Sequence, residues 1–132
     1  MPANLPAPDG KPFDLRERLL IFACDIVRAA QFLHTRGQIA RALSYQIVDS
    51  GTSMGSNAEE ADGASSRRDF VAEMRIALRE GKETRFRLTV CRRCELLDKR
   101  FDPLVDESDQ LVRIIASIVH KTIRGDDERL GG

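Results

Sequence analysis

The stretch DFVAEMRIALREGKETRFRLTVC, residues 69–91, decides the fold. Phe70, Met74, Ala77, Gly81, Thr84, Leu88 and Cys91 recur in it at alternating steps of four and three. Such steps keep side chains on one seam of a helix, the pattern of a bundle or coiled coil, and cannot be met by the two-residue period of a strand. Ser66 and Asp69 just upstream have capping-box spacing. The helix is therefore expected from Ser66 to about Cys94, about 44 Å at the usual rise per residue.

Working outward, Asp62-Gly63-Ala64 is a break, and before it a helix is expected from Gln38 to about Ala61. Its inward face reads Ile39, Leu43, Ile47, Gly51, Met54 and Ala58. Further upstream, Asp14 and Glu17 have cap spacing, and Leu15, Leu19, Phe22, Ile26, Ala30 and Leu33 mark one face of a helix ending near His34, before Gly37. Downstream, a loop holds Asp102-Pro103. A last helix follows with Leu111, Ile115, Ile118 and Thr122 inward and Ile114 and Val119 alongside, ending before Gly125. Residues 1–12, with Pro2, Pro6, Pro8 and Pro12, read as a flexible or extended arm, residues 13–124 as the bundle and residues 125–132 as a polar tail. Four amphipathic helices with short connections point to an all-α, antiparallel up-down-up-down four-helix bundle. The alternative is another all-helical arrangement with crossing angles nearer 50°.

Composition bounds the function. The chain has 132 residues, 42% hydrophobic and 32% charged, without Trp. No apolar run approaches the roughly 20 residues of a membrane span, and the N-terminus lacks the basic and apolar regions of a secretory signal. Three cysteines do not make a disulfide framework, so a reducing cytoplasm is expected. Cys91 and Cys94 have CxxC spacing but fall inside the helical repeat, where Cys91 reads as a small buried hydrophobe. His34 and His120 each lie near an expected helix end. No phosphate loop, nucleophile elbow or Glu-x-x-His pair is present, so no catalytic residue, metal or cofactor is expected.

SMGSNAEEADG, residues 53–63, is small and polar where a buried helix should continue. Glycine inside a helix costs about 1 kcal/mol against alanine, so Gly51 and Gly55, with Gly81 on the next helix, suggest close helix approach. In one reading Ser53, Ser56 and Asn57 bond across the contact, with Glu60, Glu73, Glu80 and Glu83 as partners. Asn57 would then be a polar anchor between the second and third helices, held by Glu83 or Glu80. In the other, Asn57 and Glu60 face water near a fraying end.

Residues 53–88 resemble the signature of the bacterial four helix bundle proteins, which include the proteins encoded in intervening sequences of 23S ribosomal RNA genes. The resemblance rests on Ser53, Asn57, Glu60, Ser66, Asp69, Phe70, Ile76, Ala77, Glu83 and Leu88, and extends more loosely from about Phe13 to Ile123. Ala58 departs from a usual Ile or Tyr, Arg87 from an aromatic in one branch, and Glu95 from a Gly that commonly ends the third helix. The resemblance implies a small cytoplasmic bundle that assembles as a homo-oligomer, with a pentamer expected. It also implies a relative, the accessory variability determinant of diversity-generating retroelements, that binds nucleic acid and a reverse transcriptase.

Charge is uneven along the chain. Residues 67–101 carry 11 basic and 6 acidic groups, a local +5, although the formal net charge of the whole is zero. Arg68, Arg75, Arg79, Lys82 and Arg93 fall at the b and f positions of the third helix, opposite the apolar seam. They could follow a phosphate backbone, or they could be a solvated face balanced by Glu73, Glu80 and Glu83. The reading is a non-enzymatic oligomeric interaction module whose basic stripe takes ribosomal RNA or another RNA or DNA. The alternatives are a purely structural or protein-binding oligomer and, third, an enzyme built between subunits around Glu60 and Glu83.

Overall fold

The computed structural model describes residues 4–6 and 12–131, with side chains from Asp14 to Gly125. Its helices are α1 (Leu15–His34), α2 (Gln38–Asp62), α3 (Arg67–Arg93) and α4 (Asp102–Gly131), with a single 3-10 turn at Lys99–Phe101. Of the expected arm, Asn4–Pro6 (β1) pairs antiparallel with Pro12–Asp14 (β2), Asn4 opposite Asp14; the remainder of it lies outside the described residues.

Both expected caps form. The Asp14 carboxylate accepts from the Glu17 N–H at 3.2 Å, and the Ser66 hydroxyl accepts from the Asp69 N–H at 3.1 Å. Each satisfies one of the N–H groups that a helix start leaves open. α3 ends in a Schellman turn: the Leu96 N–H donates to Cys91 O and the Glu95 N–H to Arg92 O. Glu95 takes the left-handed position with φ +61°. That conformation costs a non-glycine residue about 1–2 kcal/mol. The Arg36 guanidinium, donating to Glu95 O at 3.0 Å, helps to hold it.

The helices form an up-down-up-down bundle in which consecutive helices pack most closely and α1 meets α4 over a smaller contact. Ion pairs tie the neighbours. Arg16 bridges to Asp62 at 3.1 Å between α1 and α2, and Arg85 reaches Asp109 at 3.0 Å between α3 and α4. Arg18 closes α1 on α4 with two bonds to Glu107, 2.8 and 2.6 Å, and one to Gln110. At one end Arg100 lies over the rings of Phe32 and Phe101, which pack 5.1 Å apart.

The whole α3 seam from Phe70 to Cys91 is buried, as are the six expected core positions of α1. Two seams differ from expectation. On α2, Ile39 is 73% exposed and Leu43 half-buried, and Ala40 and Ser44 point inward instead. Counting back from Ile47 by three and four gives Ser44 and then Ala40, so steric fit, not side-chain apolarity, sets this end of the row. On α4, Val119 is buried while Ile118 and Thr122 lie at the seam's edge. α4 also continues through Gly125 to Gly131 rather than ending before it. A lone glycine costs only about 1 kcal/mol, and no proline follows to stop the helix. His120 therefore lies well inside α4.

Candidate nucleic-acid interface

The outer face of α3 carries the basic row. At 3.6 residues per turn, Arg68, Arg75, Arg79, Lys82 and Arg93 fall within a narrow sector opposite Ala77 and Leu88, along about 37 Å of helix. All five side chains are exposed. The cations to either side of this sector are committed elsewhere. Arg85 pairs with Asp109, Arg87 with Glu83 at 3.6 Å and Arg92 with Asp102 at 2.7 Å. Within the sector, Arg79 comes no closer than 3.9 Å to Glu80, and among the described residues Arg68, Arg75, Lys82 and Arg93 have no ion-pair partner. The acidic residues expected to balance the stripe lie off it: Glu83 is turned to Arg87, and Glu80 lies about a third of a turn away.

Phe86 belongs to the same sector and was not picked out from the sequence. It is 71% exposed, between Lys82 and Arg93. Its signal was available, because Arg79, Phe86 and Arg93 are spaced by sevens and so share one heptad position. Beside it an open groove of about 480 Å³ runs between α2 and α3, lined by Leu43, Gln46, Lys82, Glu83, Phe86, Arg87 and Val90.

The expected polar anchor does not form. Asn57 Nδ2 donates to Ser53 O at 2.8 Å, one turn back in its own helix, and not to Glu80 or Glu83. Ser53 and Ser56 likewise donate to Asp49 O and Ser53 O, and Glu60 is exposed. Short polar side chains in a helix find the preceding carbonyls more readily than a partner across an interface. The buried link between α2 and α3 is instead Thr84 Oγ1 to Ser50 Oγ at 2.8 Å. Glu80 is mostly buried, and burial, with Glu83 and Asp49 nearby, holds its carboxyl above the usual carboxylate range.

The small residues serve two pairs of helices: Gly81 of α3 takes up α2 as expected, whereas Gly51 and Gly55 of α2 face α1 instead. A Cβ at Gly51 would lie 2.9 Å from Ile26 of α1. Gly81 admits Met54 from α2 and Val112 from α4.

The CxxC pair is split. Cys91 is buried, its thiol pushed up to about 11 by burial and by Cys94, while Cys94 is exposed. His34 stands edge-on to Tyr45. Among the described residues no three His, Cys, Asp or Glu side chains gather as a metal site would need. No helix of the described residues is long and apolar enough to cross a membrane.

Fold and surface together define a class: a small up-down-up-down helical bundle whose open feature is a cationic helix face. The model of the 23S rRNA-intervening sequence protein family matches residues 14–117, and the chain belongs to that family. Among solved structures it is similar to a protein of unknown function from the S23 ribosomal protein family of Bacteroides thetaiotaomicron VPI-5482. The identity is 32% and the TM-score 0.72, over 80% of this chain and 97% of that one. No curated protein matches it significantly.

Proposed function

We propose that the protein is a non-enzymatic, homo-oligomeric interaction module that takes nucleic acid, ribosomal RNA foremost, along the outer face of α3. The observation that carries this reading is the row Arg68, Arg75, Lys82 and Arg93, exposed and, among the described residues, without ion-pair partners, while Arg85, Arg87 and Arg92 on the same helix are paired. A helix face that merely keeps a protein in solution has no need to segregate free cations from paired ones. Phosphate contacts from such a row give affinity without sequence preference and a steep dependence on salt. In an oligomer the row is repeated, so weak contacts add by avidity. A pentamer is the assembly the family resemblance favours.

A second reading, a structural or protein-binding oligomer, draws on Leu20, Ile21 and Val27, all exposed on α1, the first and last of them on one side. A mobility shift with ribosomal RNA over a salt series separates the two. Binding at low salt is expected to fall steeply as salt rises, and Arg75→Glu with Arg79→Glu should weaken it for all RNA sequences alike and flatten the salt slope. Absence of wild-type binding at low salt would leave the protein-binding reading.

A further inference from the structure

We infer that the α3 face is built for single-stranded nucleic acid, with Phe86 as a platform on which a base stacks; this rests on the nucleic-acid reading above and narrows it. Phe86 is 71% exposed, a costly position for a phenyl ring, and it falls in line with the cations rather than beside them. Lys82 lies one turn before it, and Arg79 and Arg93 lie seven residues to either side. Leu43 and Val90 line the groove at its flank and give the ring's neighbourhood an apolar floor.

Cations in a row with an aromatic side chain among them are the two elements of single-strand recognition. The charges follow the backbone, and the ring takes a base face, which every base possesses. A duplex would satisfy only half of this arrangement. Its bases are stacked on one another, so a ring projecting from the line of phosphate contacts would meet sugar and phosphate.

A second copy of the chain is a poorer occupant. Its exposed apolar face on α1 could cover Phe86, but that face brings only Glu17 and Asp25 as negative charge, and Asp25 is already paired with Arg28 at 3.0 Å. Docking there would desolvate Lys82 and its neighbours with little negative charge in return, whereas a polyanion supplies that charge along the whole row.

The test uses the full chain with two probes, an unstructured 20-nucleotide RNA and an RNA duplex of equal length, at low salt. The single strand is expected to bind more tightly. Phe86→Ala should weaken it by roughly 5- to 150-fold, the range for loss of one base stack, with the salt slope unchanged and duplex binding unaffected. Phe86→Tyr should retain binding. Because the chain has no tryptophan, Phe86→Trp provides a single reporter, whose emission should be quenched by the single strand. Duplex binding equal to single-strand binding, with Arg75→Glu and Arg79→Glu damaging both and Phe86→Ala neither, would overturn this inference and leave the basic row standing. A change in oligomer mass on Phe86→Ala would place the ring in a subunit contact and overturn it too. No binding of either probe by the wild type would overturn it together with the reading beneath it.

Discussion

Ser50 and Thr84 face each other across α2 and α3 in a core that is otherwise apolar at that level. Their oxygens lie 2.8 Å apart, and Thr84 Oγ1 lies 2.7 Å from Glu80 O. Each hydroxyl has one proton, so both are satisfied when Ser50 donates to Thr84 and Thr84 donates to the carbonyl. Removing Thr84 leaves the Ser50 hydroxyl buried and without that partner, which costs about 1–3 kcal/mol, whereas without Ser50 the Thr84 hydroxyl still donates to Glu80 O. Thr84→Val should therefore lower stability in urea denaturation by about that amount. The double variant with Ser50→Ala should cost less than the sum of the two singles. Equal additivity would mean that the pair does not couple the helices. The sequence showed Thr84 on the seam but pointed to Asn57 as the cross-helix polar group. Asn57 instead spends its amide on Ser53 O, a choice made by local geometry that no spacing rule reveals.

At the scale of the element, α2 carries its glycines for different neighbours. An added methyl at Gly51 would press on both Cγ atoms of Ile26 at 2.9 Å, atoms near the backbone that cannot swing aside. At Gly55 the nearest atom is Leu19 Cβ at 3.7 Å, an ordinary contact. Gly51→Ala should therefore destabilise the bundle by about 1–3 kcal/mol through overpacking. Gly55→Ala should stabilise it by roughly 0.5–1 kcal/mol through helix propensity alone. Thermal melts of the two variants should move in opposite directions. If both rise, α1 is not held against Gly51 as described. That a close approach occurs near Gly51 was legible in the sequence. Which helix makes it was not, because glycine marks a gap without saying what fills it.

At the scale of the whole molecule, the surface carries a cationic face on α3 and exposed apolar residues on α1. Leu20 and Val27 are 58% and 41% exposed and lie two turns apart on one side. In water such residues gain by pairing with like surface, and their loss should be felt in assembly rather than in folding. Leu20→Glu with Val27→Glu should yield a species near the chain mass of 14.8 kDa in light scattering, with helicity retained by circular dichroism. A wild type that is already monomeric across a dilution series would remove the homo-oligomer from the proposed function. An unchanged oligomer in the variant would locate the subunit contact elsewhere.

What the sequence determined by itself is the set of helices and the register of those with a full heptad row. The Phe70–Cys91 seam and the α1 face are buried as their spacing dictates, and the caps at Asp14 and Ser66 form as their residue types dictate. These are local matters, decided by helical periodicity and by hydrogen bonds three residues away. The exposure of the α3 cations follows equally from the seam, since whatever opposes a buried row faces water. Tertiary structure alone decided the rest. It put Ala40 and Ser44 inside and Ile39 outside, gave Gly51 to Ile26, and drew Arg85, Arg87 and Arg92 into ion pairs beside the stripe. Each of those outcomes depends on which side chain a neighbouring helix presents at that height. That is a property of the packed bundle and not of any single helix read along its own length.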